Sequence, residues 1–171
     1  MLAAFEALSE KGVSALVKEV ARRAGVGTGT VSRPFPTKQA LYEAVVLDRA
    51  ERLTPEAREL QAGHDPAEAF FRFLSRVAQE LAMNWGMSEW MTRAGFEVDA
   101  AENRAEGVVL TALRELLEAA QEASAIRADA TVADVKALIV GVADLLHCEA
   151  DPAAQDRMLA IVRRGLAPET D

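Results

Sequence analysis

Apolar residues along this chain recur at three- and four-residue spacing with polar residues between them, and β-branched stretches that alternate every second residue are scarce. That periodicity predicts helices throughout. A first helix is expected over 1–10, and over 17–24 the spacing puts Val17, Val20, Ala21 and Ala24 on one face, after which Gly25 supplies the left-handed backbone that closes a helix. A second short segment opens near Thr28 and is expected to end at about Ser32 or Arg33. The intervening turn has the length that sets two helices at a steep angle. Thr37 is placed to cap a further helix running from Lys38 to about Arg49 or beyond, up to an interruption expected at Thr54-Pro55. Gly63-His64-Asp65-Pro66 reads as a break, with Asp65 as the cap and Pro66 at the first helical position. Beyond it the pattern predicts a helix to about Met83, a shorter one over 87–94, one over 103–124 and a final pair over 132–148 and 152–166.

Composition narrows the class. Half of the 171 residues are hydrophobic, and the longest apolar runs are short and interrupted by charges, so no membrane span is expected. Met1 is not followed by the basic segment and apolar core of a signal peptide, which leads us to expect a cytoplasmic protein. The single cysteine, Cys148, excludes an intrachain disulfide and offers no paired thiolate for zinc. We read it as a small buried side chain.

Charge is distributed unevenly. Between Val17 and Ala40 stand five basic residues, Lys18, Arg22, Arg23, Arg33 and Lys38, against the single acid Glu19, giving +4 in a chain whose net charge is −8. From Glu51 onward 12 basic residues face 22 acidic ones, giving −10. A local basic patch on an acidic chain suits phosphate contact by one surface and repulsion elsewhere, although ordinary solvated helix charges produce the same count.

The order of residues in that patch is more specific. Met1 to Gly12 reads MLAAFEALSEKG, followed by Val20-Ala21-Arg22-Arg23-Ala24-Gly25-Val26 and then Gly29-Thr30-Val31-Ser32-Arg33-Pro34-Phe35-Pro36-Thr37-Lys38-Gln39-Ala40-Leu41. With its spacing intact, this run resembles the N-terminal helix-turn-helix domain of the TetR family of bacterial transcriptional repressors. The resemblance implies an all-α fold, with a three-helix DNA-binding domain over 1–46 and a helical ligand-binding and dimerisation domain over 47–171. It also implies that Arg22, Arg23, Thr28, Gly29, Thr30, Ser32, Arg33, Thr37 and Lys38 meet DNA. The implied partners are a near-palindromic double-stranded operator, a small-molecule effector and a second copy of the chain, with no cofactor and no metal.

Two positions depart from the family pattern. Ser32 stands where a tyrosine usually anchors a DNA phosphate, and its hydroxyl reaches less far. Pro34 stands where histidine is frequent; it lacks an N–H and biases Arg33 toward an extended backbone. The chain also begins inside the expected first helix, without the basic residues that often precede it. A TetR-like dimer that binds ligand with weakened or lost DNA binding is therefore the alternative reading.

Six of the nine aromatic residues, Phe70, Phe71, Phe73, Trp85, Trp90 and Phe96, lie within 27 residues, together with Met83, Met87 and Met91. Broad rings and flexible thioethers suit an adaptable, largely apolar pocket, and they equally suit a core. Because TetR-like proteins form their effector cavity in this region, Phe70, Phe73, Met83, Trp85, Met87, Trp90 and Met91 are the candidate lining, with Leu113 and Leu117 opposite. On the first of the last two helices Val135, Leu138, Ile139, Val142, Leu145 and Leu146 form one apolar stripe, and Ala133, Ala137, Val140 and Gly141 form another. A helix that is apolar on two sides needs two covers. The resemblance makes the second cover a partner subunit, so Ala133, Ala137, Val140, Gly141, Met158, Ile161 and Val162 are the candidate dimer interface.

Enzymatic chemistry finds little support. No Ser/His/Asp grouping, HExxH motif or glycine-rich phosphate loop is present. His147, Cys148 and Glu149 are metal-ligating types, but consecutive helical residues point about 100° apart and do not converge on one ion.

Overall fold

The computed structural model describes residues 18, 21–22, 25, 27–32, 37–93, 95–148 and 152–168, with the backbone alone for Val31, Ser32, Lys38, Leu41, Met87, Trp90, Pro152 and Gln155. Among these residues all regular structure is helical: α1 (Thr28–Ser32), α2 (Lys38–Gly63), α3 (Pro66–Arg93), α4 (Asp99–Glu122), α5 (Val132–His147) and α6 (Pro152–Gly165). The helix expected over 1–10, together with Arg23, Arg33 and Pro34, lies outside the described residues.

Local chemistry explains several helix ends. The Thr37 hydroxyl accepts from Ala40 N at 3.0 Å and starts α2, and the Asp65 carboxylate accepts from Glu68 N at 3.0 Å and starts α3 behind Pro66. Thr131 and Asp134 form a reciprocal capping box at the head of α5, with Asp134 N donating to the Thr131 hydroxyl and Thr131 N donating back to the Asp134 carboxylate. After α3, Gly95 adopts φ +80°, and Phe96 N returns to Met91 O at 3.0 Å; the left-handed residue lets the chain reverse into α4.

Two expected interruptions do not occur. Pro55 sits inside α2 without ending it. Pro55 and Glu51 are both exposed, so water can satisfy the carbonyl that the missing proline N–H leaves free. The break expected between Met83 and Met87 is likewise absent, and α3 runs unbroken from Pro66 to Arg93. Gly86 costs about 1 kcal/mol relative to alanine in a helix, but it is flanked by residues buried in two different clusters, Ala78 on one side and Met91 on the other. Tertiary packing outweighs that local cost.

The core comes in two parts. The larger joins α3 (Ala69, Phe70, Phe71, Phe73, Leu74, Val77, Ala78) to Leu113, Leu116 and Leu117 of α4, Val135, Ile139 and Val142 of α5, and Leu53 and Ala57 near the end of α2. The smaller joins Tyr42, Val46 and Ala50 of α2 to Met91, Val98, Ala101 and Ala105. Helix α2 therefore belongs to both, packing on α4 along much of its length while α3 packs on α5. Cys148, expected to be buried, is exposed: it is the residue that follows the last turn of α5, where Leu146 is the residue that packs on the core.

Candidate functional site

Between the two parts of the core lies a cavity of about 500 Å³, within the range of small-molecule sites. Four helices contribute faces at helical spacing: Tyr42, Val46, Arg49, Ala50 and Leu53 from α2; Val77, Leu81, Asn84, Trp85 and Ser88 from α3; Glu102, Ala105, Val109 and Leu113 from α4; and Lys136, Ile139 and Val140 from α5. The walls are mainly apolar. Polar groups are set into them at a few points.

At one such point the Tyr42 ring is 1% exposed and its hydroxyl donates to Glu102 Oε1 at 2.6 Å. Ser88 Oγ donates to the same oxygen at 2.5 Å, so one carboxylate ties together α2, α3 and α4. Burial of the ring, and then the neighbouring Glu102 carboxylate, push the Tyr42 hydroxyl far above its ordinary pKa, so it stays a neutral donor. At another point Glu80 Oε1 accepts from Arg76 at 2.6 Å, while Glu80 Oε2 is buried without a hydrogen-bond partner, 3.8 Å from an Arg49 nitrogen. Arg49 in turn donates to Asn84, and Lys136 to Glu106.

The structure sorts the residues expected to line a cavity. Trp85 and Leu113 do line it. Phe70, Phe73 and Leu117 lie in the larger core cluster, on the packed side of their helices, and do not face the cavity. Met91 packs in the smaller cluster and Met83 points to solvent. The side chains of Met87 and Trp90 lie outside the described residues. Missed altogether were the α2 wall and the polar lining, Tyr42, Arg49, Glu80, Asn84, Ser88, Glu102 and Lys136. Their signal is a polar residue recurring on an otherwise apolar stripe, as Arg49 does between Val46 and Leu53.

Of the residues assigned to DNA, Arg22, Thr28, Gly29, Thr30 and Thr37 are exposed, while Ala21 behind them is buried. Gly25 takes φ +65° and its N–H donates to Arg22 O at 3.3 Å, which turns the chain before α1; Thr30 N donates to Gly27 O at the opening of that helix. Arg23 and Arg33, and the side chains of Ser32 and Lys38, lie outside the described residues.

On the surface, α5 presents Ala133, Ala137, Val140 and Gly141 along one exposed face, and α6 presents Ile161, which is 63% exposed. Met158 is half-buried, its methyl beside Gly141. Val162 turns the other way, into the chain's own core. Val140 is shared, since it also reaches the cavity. No described helix is long and apolar enough to cross a membrane.

Comparison with known proteins matches this architecture. Residues 1–45 match the profile described as bacterial regulatory proteins, tetR family, and residues 65–168 match that of the transcriptional regulator SbtR-like C-terminal domain. A TetR transcription regulatory protein of Mycobacterium vanbaalenii is 38% identical, with 96% of this chain and 90% of that one aligned at a TM-score of 0.70. A TetR transcriptional regulator of Streptomyces coelicolor is 31% identical over 99% and 97% of the two chains, at a TM-score of 0.78. The HTH-type transcriptional repressor KstR of Rhodococcus jostii (strain RHA1) is 31% identical over 103 residues, 59% of this chain; the match spans about half, 48%, of that relative's length. These matches are to regulators, not enzymes. With one profile covering its amino-terminal segment and another most of the remainder, the chain belongs to the TetR family of bacterial transcriptional regulators.

Proposed function

We propose that this protein is a ligand-responsive DNA-binding repressor, acting in the cytoplasm as a homodimer, with a DNA-reading domain over 1–46 and a ligand-binding and dimerisation domain over 47–171. The carrying observation is α2. Its N-terminal turn follows the helix-turn-helix segment, and the same uninterrupted helix forms one wall of the cavity. A ligand that pushes on Val46, Arg49 or Ala50 pushes on a rigid element whose far end positions α1.

In the dimer two copies of α1 enter successive major grooves, roughly 34–36 Å apart, on a near-palindromic operator. Thr28 and Thr30 address base edges, while Arg22, Thr37 and Lys38 address phosphates. The exposed face of α5 and Ile161 of α6 meet their copies across a two-fold axis, where Ala133, Ala137 and Gly141 permit close approach. An effector in the cavity lowers operator affinity only insofar as it binds the released arrangement more tightly.

Selection of bound sequences from a random DNA pool tests this reading, followed by titration of the winner against salt. The expected result is a near-palindromic motif bound well above non-specific DNA, with affinity falling steeply as salt rises. A chain that enriches no motif is a dimeric ligand-binding module rather than a repressor.

A further inference from the structure

Six charged side chains line the cavity: Arg49 and Lys136 on one side of the balance, Glu80, Glu89, Glu102 and Glu106 on the other. Most of these charges are matched. Lys136 pairs with Glu106, Arg93 with Glu89 at 2.5 Å, and Glu80 has Arg76 at 2.6 Å and Arg49 at 3.8 Å. Glu102 differs. Among the described residues its bonds come from two neutral hydroxyls, those of Tyr42 and Ser88, both on Oε1, and the cations of the lining are paired with other acids, Arg49 with Glu80 and Lys136 with Glu106. A carboxylate set in a mainly apolar wall and left without a counter-charge favours a cation and repels an anion.

Resting on the effector-cavity reading above, we propose that the ligand is a lipophilic organic amine. Its ammonium group binds Glu102, and its apolar body lies against Val46, Leu53, Val109 and Leu113. Two aromatic residues, Tyr42 and Trp85, are also in the lining, where rings favour a nearby cation. Glu80 Oε2, buried without a hydrogen bond although Arg49 lies 3.8 Å away, offers an acceptor to a donor elsewhere on the molecule. The assignment also explains how binding reaches the DNA-reading segment. An ammonium at Glu102 draws on the carboxylate that accepts from the Tyr42 hydroxyl and so loosens this tie between α4 and α2, the helix that follows the helix-turn-helix segment.

A matched series separates charge from shape: phenylbutylamine, phenylbutanol and phenylbutyrate, titrated calorimetrically into the full chain at neutral pH. The amine is expected to bind about tenfold or more tightly than either analogue, the scale of one charge-assisted hydrogen bond. Glu102→Gln keeps an oxygen for both hydroxyls and should bring the amine level with the alcohol. Glu97→Gln, at an exposed acid outside the cavity, removes the same charge and should leave the preference intact. Tyr42→Phe keeps the carboxylate, removes its competitor and should tighten amine binding severalfold. Equal or better binding of the alcohol or carboxylate, a preference that survives Glu102→Gln, or no binding by any of the three overturns the assignment. Operator selection on the same preparation keeps the two readings apart: a chain that enriches a DNA motif but does not prefer the amine retains the repressor reading and loses this one.

Discussion

The Tyr42 hydroxyl and Glu102 Oε1 lie 2.6 Å apart, joining residues 60 positions apart in sequence and bridging the helix that follows the DNA-reading segment to the first turn of α4. Because the phenol is buried and acts as a neutral donor to a carboxylate, this bond has a defined geometry and a measurable weight. Tyr42→Phe leaves the ring in place and removes the donor. Unfolding free energy should fall by about 1.5–3 kcal/mol, the range for a hydrogen bond to a charged group, and operator affinity should fall with it as α2 gains freedom. Chemical denaturation read together with operator titration checks both; an unchanged midpoint and affinity would show that the bond carries neither stability nor coupling.

At the other end of α2, Lys38 is the first helical residue behind the Thr37 cap, where its charge and the free N–H groups of the first turn can address one phosphate. Lys38→Ala should weaken binding to all sequences alike and reduce the magnitude of the salt slope by about one. A mutant that changes operator preference while keeping the parental slope would move Lys38 from phosphate to base contact.

Ile161 is a large apolar side chain held 63% exposed on α6, beside the exposed face of α5. Placing a charge there should leave the protomer folded, since the side chain makes little use of its own core, and should disfavour a buried interface between copies. Ile161→Glu is expected to sediment as a monomer with unchanged helical content. If it sediments as a dimer at the concentrations where the parent does, the interface lies elsewhere.

Acid should reveal the ties that hold the surface. Hydrogen bonds from Arg72 and then Arg163 hold the Glu68 carboxyl below its ordinary pKa; Arg127 does the same for Asp129, and Thr131 for Asp134. Each of these groups gives up its proton more readily folded than unfolded. The stability they contribute is therefore complete above the ordinary carboxylate range, about pH 4, and is lost as pH falls through the lower folded values. Glu68→Gln should flatten the acid side of the stability profile, and an unaltered profile would mean that these exposed pairs are screened to insignificance.

What the sequence determined by itself was whatever depends on neighbours along the chain. Three- and four-residue periodicity gave the all-helical class, the Thr37 and Asp65 caps gave the starts of α2 and α3, and the ordered run from Val20 to Leu41 pointed to the family that the comparisons bear out. Tertiary structure decided the rest. Pro55 and Gly86 are poor helix residues locally, yet α2 and α3 continue through them because the residues on either side are anchored in the core, Leu53 and Ala57 in its larger part and Ala78 and Met91 in different parts. The cluster of aromatics and methionines marked the right region, but Phe70 and Phe73 fill the core while Tyr42, Arg49 and Glu102 face the cavity. A cavity is the volume that four packed helices leave unfilled, so its lining depends on how their faces meet, a relation among segments distant in sequence that the periodicity of any one of them does not contain.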